Sequence, residues 1–278
     1  MWGVNLLTTK LGVREIPSIF FAGLRLGIML LICLPWLRWF PGQMGNLLRV
    51  ALLTGVGGFG LLALGLGLSK DVSTVAIFSQ LVVPFSALVS VLMLGEIIHW
   101  RRKSGIALAF IGVVIIGFDP RAFSYLPGLI CVVLQGLSAA LGMVYVKRLR
   151  GINPLQLQAW ISVIALPVLL GLSLLFEDQP FAAVQSASYI AWGAVLMAAL
   201  GSSLIGQSGF FYLLKRYPVS SVAPLTVLST VFGMMGGVLV NHDVLTRRML
   251  LGGALTLLGV VIIELRTKVN ALGPDPAN

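Results

Sequence analysis

Polar side chains that could bind a small solute recur inside long apolar segments of this sequence. The predicted substrate-binding residues are Asn5, Ser79, Gln80, Gln135, Gln207, Thr226 and Ser229, and Ser202, Ser203 and Thr230 share the pattern. Because a polar group in hydrocarbon is costly unless hydrogen-bonded, these side chains should face a cavity or another helix. An amide both donates and accepts, which suits a solute with a carboxylate and an ammonium. A serine or threonine can instead bond its own helix backbone.

Four further residues are predicted to act in gating or structure. Pro84 removes a backbone hydrogen bond in mid-segment and should bend its helix, either as a hinge or as a static kink. Glu96 and Asp243 each follow the end of an apolar segment, and Glu96 should pair with a neighbouring arginine. Arg25 is the one basic residue well inside a segment. It can pair with Glu15 or with the carboxylate of a substrate.

No arrangement of residues predicts catalysis or a bound metal. All acidic residues lie at segment ends or in loops, as do His99 and His242. Gly206-Gln207-Ser208-Gly209 falls one residue short of a nucleophile elbow, and a hydrolase would also need a base. We therefore predict no catalytic residue, no metal and no cofactor. An intramembrane hydrolase stays a weaker alternative.

The composition predicts an all-α membrane protein. Hydrophobic residues make up 58% of the chain and charged residues 10%, with a mean hydropathy of +1.01. A soluble domain would carry about 25% charged residues. The net charge of +10 comes from short basic clusters between apolar runs. Such clusters are typical of topology signals, so we predict contact with membrane lipid and no nucleic-acid partner.

Apolar runs of membrane-spanning length predict ten transmembrane helices with short connections. The predicted spans are Met1–Leu11, Ser18–Leu37, Leu47–Leu68, Val72–Leu94, Ser104–Phe118, Leu126–Val146, Leu155–Phe176, Ser188–Leu214, Val219–Val240 and Thr246–Leu265. Most lysines and arginines fall on one set of connections and on the tail. By the positive-inside rule, both termini should be cytoplasmic in a multi-pass protein of the bacterial inner membrane.

An internal repeat divides the chain into two five-helix halves. Lys10-x6-Pro17-x4-Ala22 returns 137 residues later as Lys147-x6-Pro154-x4-Ala159. Further pairs 147 residues apart are Val75-Ala76 with Val222-Ala223, Glu96 with Asp243, Gly105 with Gly252, and Gly112 with Gly259. Because five spans is an odd number, the second copy must be inverted relative to the first. The predicted units are residues 1–118, residues 126–265 and a cytoplasmic tail at 266–278.

The first helix is too short for the repeat. Met1 to Leu11 reaches only about 16 Å at about 1.5 Å per residue, half of a membrane. Its partner, the sixth span, predicts a helix that begins well before Met1. We interpret the first helix as truncated, through a start codon assigned too late or a shortened sequence. A genuine half-helix would leave backbone groups facing lipid.

Several short motifs, taken in order, resemble the EamA-type transporters of the drug/metabolite transporter superfamily. They are Trp2-Gly3-x-Asn5 with Lys10, Pro17 and Ala22-x2-Arg25, then Leu94-Gly95-Glu96 followed by Gly105-x6-Gly112. The likeness covers all ten spans and looks closest to the YddG-like amino acid exporters. The resemblance implies a ten-helix inner-membrane carrier that exports amino acids or other small metabolites. The chain departs from the pattern in its short first helix and in His242-Asp243, where many relatives carry a glutamate.

Repeat and resemblance together predict a carrier that exports small metabolites, above all amino acids, by alternating access through a cavity between the halves. Inverted repeats are a signature of such carriers. Because no carboxylate lies at mid-span, the sequence favours facilitated diffusion or exchange over proton coupling. A membrane subunit that transports nothing is the remaining alternative.

Overall fold

A computed structural model describes residues 2–95, 99–209, 212 and 224–271, and those residues contain helices but no strand. The helices are α1 (Trp2–Gly12), α2 (Ser18–Cys33), α3 (Met44–Leu68), α4 (Val72–Ser79), α5 (Val82–Leu94), α6 (Trp100–Gly117), α7 (Pro120–Phe123), α8 (Leu126–Arg148), α9 (Pro154–Phe176), α10 (Pro180–Ser186), α11 (Tyr189–Gln207), α12 (Pro224–Val240) and α13 (Arg247–Ala271). The prediction of an all-α protein is confirmed. The last helix continues past Leu265, into the segment predicted to be a tail.

Within the described residues, six helical segments are long and apolar enough to cross a membrane. They are Ser18–Trp36, Met44–Leu68, Val72–Met93, Leu126–Arg148, Pro154–Phe176 and Tyr189–Gln207. The helix α1 has 11 residues, and α6 begins with the basic run Arg101-Arg102-Lys103. Large apolar side chains such as Leu92 and Phe176 point outward, as they would toward lipid. A multi-pass membrane protein is therefore established, while the count of ten stays a prediction.

Local sequence signals set the helix ends. Pro154 occupies the first turn of α9, where its missing N–H costs nothing. The Asn153 side chain accepts from Leu155 N at 2.8 Å, and the Gln156 side chain accepts from Asn153 N at 2.8 Å. This capping box provides acceptors for backbone N–H groups that have no partner within the first turn of the helix. Gly95 ends α5 at φ 67°, a conformation that side chains disfavour.

The fourth predicted span is interrupted where its proline requires it. Pro84 has no N–H to donate to the carbonyl of Gln80, four residues earlier. The chain leaves the α-helix at Gln80 and Leu81, and the Gln80 carbonyl instead accepts from Val83 N at 3.0 Å. Two shorter helices, α4 and α5, result. The sequence predicted this bend, and it places Gln80 at the break.

Two helices contain long π-helical stretches, a rare geometry that often marks functional sites. One covers Ala51–Gly60 within α3, and the other covers Met197–Gln207 within α11. These stretches lie in the third and eighth predicted spans and are separated by the repeat spacing of about 147 residues. Both are rich in glycine and other small residues. The two halves thus share an unusual backbone feature at matching places.

The helices α6 and α13 form the most extensive helix pair of the described chain, along a seam of glycines. A Cβ on Gly105 would lie 2.9 Å from the carbonyl oxygen of Gly259, and a Cβ on Gly112 would collide with the carbonyl of Gly252. Between these contacts, Thr256 Oγ1 lies 3.4 Å from the carbonyl oxygen of Ala109. Because higher numbers on α6 meet lower numbers on α13, the two helices run antiparallel.

Candidate functional site

The first polar cluster surrounds the break between α4 and α5. Gln80 is 4% exposed, and its Nε2 donates to the hydroxyl of Thr230 on α12. On the other side, Gly136 brings α8 to the break, where an added Cβ would lie 3.3 Å from Val82 N. The structure therefore places Gln80 at a meeting point of three helices. We call Gln80 and Thr230 the break pair.

Three other predicted binding residues lie on helices next to the break pair. Ser229 precedes Thr230, and its carbonyl packs against Gly3 of α1. Asn5, also on α1, is 4% exposed, and its Oδ1 has no hydrogen-bond partner among the described residues. The Oε1 of Gln135 on α8 is likewise buried without a described partner. Unsatisfied amide oxygens inside a membrane bundle are available to a solute.

The structure gives a different result for each of the remaining predicted residues. The Ser79 hydroxyl donates to Val75 O at 2.8 Å within its own helix, the alternative that the sequence left open. Thr226 lies on α12, but its side chain is outside the described part of the chain. Glu96 also lies outside the described residues. Gln207 is absent from the break pair and belongs to a second cluster.

Arg25 is at the centre of the second cluster. It is 4% exposed, and its Nε donates to Ser203 Oγ at 2.9 Å and its Nη2 to Ser202 Oγ at 3.4 Å. The Phe59 ring centroid lies 4.2 Å from the guanidinium carbon, a cation–π contact. Both serines and Phe59 lie in the two π-helical stretches. The guanidinium is thus held between matching segments of the two halves.

Gln158 and Ser162, which the sequence analysis missed, extend this second cluster along α9. Gln158 Nε2 donates to Gln207 Oε1 at 3.3 Å, while Gln158 Oε1 and Ser162 Oγ have no partner among the described residues. Gln158 is 1% exposed and Ser162 is 0% exposed. Polar residues four apart in an apolar helix share one face, and that spacing is a signal that could have found them. We call Arg25, Ser202, Ser203, Gln158, Ser162 and Gln207 the arginine cluster.

The pairing of Arg25 with Glu15, one of the two predicted alternatives, is wrong. Glu15 lies outside α2 and accepts hydrogen bonds from Ser188 N and Ser188 Oγ, both at 2.7 Å. These bonds lower the pKa of the Glu15 carboxyl, the backbone bond contributing most. In the described chain, no carboxylate lies within ion-pair distance of Arg25.

Carboxylates instead gather at one end of the bundle, in the connections that follow α1, α3, α6, α9 and α12. We call this the carboxylate end. Asp243 accepts from both Ser73 N and Ser73 Oγ at 2.7 Å, so it caps the first turn of α4. His242 adopts a left-handed φ of 56° just before it, which turns the chain toward Ser73. Asp243 thereby joins α12 to α4.

Four more acidic residues bind at the carboxylate end. Glu177 accepts from Ile19 N at 2.7 Å and from Phe20 N at 2.9 Å, which caps α2. Asp71 accepts from the Tyr125 hydroxyl at 2.6 Å and pairs with Arg121 Nε at 3.3 Å. Burial, and then the bond to Asp71, raise the pKa of Tyr125 well above its ordinary value. The phenol therefore stays a donor.

Asp119 and Glu15 complete the set. Asp119 accepts from Thr246 Oγ1 at 2.7 Å and from Arg121 N at 2.9 Å. Burial acts to raise the pKa of Asp119, but these hydrogen bonds and the Arg248 charge outweigh it, so the pKa is lowered. The bonds of Glu15, Glu177 and Asp243 each join residues from different predicted halves, and Asp119, which lies between the halves, binds Thr246 of the second half.

The opposite end, which we call the arginine end, is held differently. It comprises the connections after α2, α5 and α8. Gln43 Nε2 donates to Arg150 O at 3.1 Å and Gln43 Oε1 accepts from Arg150 N at 2.9 Å. The indole of Trp160 donates to Arg38 O at 2.9 Å.

Enzyme and metal chemistry find no support in the described residues. Ser208 Oγ is buried without a hydrogen-bond partner there, so no base is placed to activate it. No group of three or more His, Cys, Asp or Glu residues could hold a metal ion in the described ranges.

The chain combines apolar helices of membrane-crossing length with clusters of buried polar side chains. This combination is typical of multi-helix membrane proteins that bind polar solutes. The model of the EamA-like transporter family matches residues 1–118 and 126–265. The chain belongs to this family. Its membership, together with the names of its relatives, identifies a transporter rather than an enzyme.

Curated relatives and a solved structure agree with this assignment over nearly the whole chain. A protein of Escherichia coli (strain K12) named "Probable amino-acid metabolite efflux pump" is 23% identical over 94% of this chain and 90% of its own length. A Salmonella typhimurium protein of the same name is 25% identical, with the same coverage of both chains. One crystal structure matches with a TM-score of 0.57 at 17% identity, over 97% of both chains, and supports the fold alone.

Proposed function

We propose that this protein is an inner-membrane carrier that exports amino acids and related small metabolites by alternating access. Its cavity would lie between two inverted five-helix repeats, with ten spans and both termini in the cytoplasm. The names of the relatives from Escherichia coli and Salmonella support the amino-acid substrate, since both are described as amino-acid metabolite efflux pumps.

The observation that carries the proposal is the contact pattern of the glycine seam. Gly105 and Gly112 are 147 residues before Gly252 and Gly259. In the fold, Gly105 contacts Gly259, while Gly112 contacts Gly252. Each position thus meets the counterpart of the other, and Ala109 meets its own counterpart Thr256. A two-fold axis lying across two antiparallel helices produces this reciprocal pattern, and such an axis relates inverted repeats.

The π-helical stretches and the break pair add to this support. The stretches in α3 and α11 are about 147 residues apart, so the same relation extends beyond one helix pair. The break at Gln80 faces Thr230 in the opposite half. Interrupted helices in such carriers commonly contact the solute and change shape during transport.

Efflux from liposomes tests the proposal. Vesicles that contain the purified full chain and radiolabelled amino acids should lose label faster than protein-free vesicles. Gln80→Ala should slow this efflux without reducing membrane insertion, because it removes the amide at the break. Ser86→Ala is the matched control, since the Ser86 hydroxyl bonds only Val83 O of its own helix, at 2.8 Å. A lack of efflux across a broad panel of amino acids and metabolites would refute the carrier.

A further inference from the structure

We propose that Arg25 binds the carboxylate of the transported solute, and that Gln158 and Ser162 accept hydrogen bonds from its N–H groups. The inference rests on the proposed export of amino acids, and it explains by the structure of the site why the solute would carry a carboxylate. It assigns a binding role to the arginine cluster, whose Arg25 the sequence placed among gating or structural residues.

The first argument is charge. A buried cation costs several kcal/mol, on the order expected after relaxation, unless an anion neutralises it. Glu15, Asp71, Asp119, Glu177 and Asp243 at the carboxylate end all bind other groups. Arg25 contacts only hydroxyls and an aromatic ring in the described chain. A purely structural arginine would be expected to have an acidic partner. The anion that balances Arg25 is therefore the solute.

The second argument is the geometry of the guanidinium. It has five N–H donors in a planar fork that matches a carboxylate. Ser203 and Ser202 each take one donor, from Nε and Nη2. The three remaining donors include one N–H of Nη1 and the second N–H of Nη2, which point the same way and can hold a carboxylate as a bidentate pair. The two serines and Phe59 fix the fork from one side, so Arg25 is pre-oriented to bind.

The third argument is the position of the unpartnered acceptors. Gln158, Ala159 and Ser162 lie on one face of α9, and Ala159 packs with Met29 and Cys33 of α2 and Ala199 of α11. That face is therefore turned toward the helix that carries Arg25. Ser203 binds Arg25, and Gln207, one turn later on α11, binds Gln158. The same stretch of α11 therefore contacts both the guanidinium and the Gln158 amide.

These groups define the solute class. A carboxylate neutralises Arg25, and an ammonium nearby donates to Gln158 Oε1 and Ser162 Oγ. A molecule that has an ammonium but no carboxylate adds a second positive charge and leaves Arg25 unbalanced. The site therefore selects amino acids and similar carboxylates over amines and amino-acid amides.

Ligand-induced stabilisation tests the assignment without transport. The unfolding midpoint of the purified full chain is measured with each standard amino acid and with its amide, which keeps the side chain but lacks the carboxylate. A ligand that binds only the folded state raises the midpoint. We expect at least one amino acid to raise it and the corresponding amide to leave it unchanged.

Arg25→Met should weaken that binding at least about 30-fold, the lower range for loss of a buried charge pair. The same variant should unfold at a higher temperature than the parent when no solute is added, because the buried charge is gone. Arg49→Met is the matched control, since Arg49 is exposed at the arginine end and should leave binding unchanged. Ser203→Ala keeps the charge and should weaken binding less.

Three results would overturn the assignment: amides that bind as well as their amino acids, undiminished binding in Arg25→Met, or no shift with any amino acid. Liposome efflux with the same panel of amino acids distinguishes failure of the Arg25 binding site from failure of the proposed export function. Efflux that persists with unchanged concentration dependence in Arg25→Met leaves the exporter standing and removes the binding role. Arg25-dependent binding without efflux in the parent protein supports the site and removes the exporter.

Discussion

The two ends of the bundle are held together by different chemistry. At the carboxylate end, acidic side chains cap helices of the opposite half, as Asp243 does for α4 and Glu177 for α2. At the arginine end, the described contacts between halves are neutral amide and indole hydrogen bonds, such as those between Gln43 and Arg150. Hydrogen bonds to charged groups contribute about 1.5–3 kcal/mol each, against about 1 kcal/mol for neutral ones.

Several charge-assisted bonds must break before the halves separate at the carboxylate end, whereas fewer and weaker bonds hold the described part of the arginine end. Among the described residues, the carboxylate end therefore carries the stronger contacts between the two predicted halves. The topology proposed from the basic residues would place that end outside the cytoplasm.

Removal of Asp243 should have the largest effect. Asp243→Ala leaves the buried Ser73 N–H without its acceptor and the Ser73 hydroxyl with only Met234 O, 3.3 Å away. It should destabilise the protein by about 2–4 kcal/mol. Gln43→Ala at the arginine end should cost about 0.5–1 kcal/mol, because its partners can turn to water. Unfolding midpoints in one detergent compare the two variants. Equal losses would contradict the difference between the ends.

The next largest loss of stability is expected when the glycine seam between α6 and α13 is crowded by a larger side chain. Gly112→Ala places a methyl group against backbone atoms of Gly252 and Thr256, which cannot move aside, and should cost about 1–3 kcal/mol. Gly117→Ala, in the same helix with no atom within 4 Å of the new Cβ, is the control. Thermal unfolding measures both. A Gly112→Ala protein as stable as Gly117→Ala would refute the close approach of α6 and α13.

A smaller effect is expected for Arg121→Gln. The Arg121 side chain is 40% exposed and Asp71 keeps its bond from Tyr125, so loss of the ion pair should cost less than about 1 kcal/mol. Chemical denaturation of parent and variant at low and high salt gives the contribution. Added salt should shrink the difference, since it screens exposed charges. A difference that grows with salt would argue against an exposed ion pair.

The pH response of the carboxylate end should be the smallest effect near neutrality. The folded-state pKa values of Glu15 and Asp119 lie below their ordinary values of 4.5 and 3.8. Their contribution is therefore complete above those values and is lost as the pH falls through the lowered pKa values. Unfolding midpoints of parent and Glu15→Gln should differ by a constant amount down to about pH 4.5 and converge below it. Convergence already near pH 6 would contradict the lowered pKa.

Much of the fold follows from the sequence because hydrocarbon length and proline chemistry act locally. Apolar runs predicted the start of α8 at Leu126 and the end of α9 at Phe176. The interruption before Pro84 followed from its missing N–H. The π-helical stretches were beyond prediction, since their glycine-rich sequences also suit ordinary α-helices.

The site was less accessible from sequence, because it depends on which helix faces turn inward. Gln80 and Gln207 were both predicted, but no local rule shows that they bind in separate clusters. The sequence allowed Arg25 to pair with Glu15 or with a substrate carboxylate, and only the fold shows Glu15 bound to Ser188 instead. Gln158 and Ser162 needed a search for polar pairs at helical spacing within each apolar run.

The glycine seam has a mechanical consequence. Because α6 and α13 touch backbone to backbone at Gly105, Gly112, Gly252 and Gly259, neither helix can slide or rotate against the other without collision. In the proposed carrier, these two helices would keep their mutual arrangement while other helices move. In the proposed carrier, the change between outward and inward access would take place in segments that already depart from regular geometry, such as the Gln80–Leu81 break and the π-helical stretches. Stiffening those segments should slow turnover, while binding to the resting conformer stays intact.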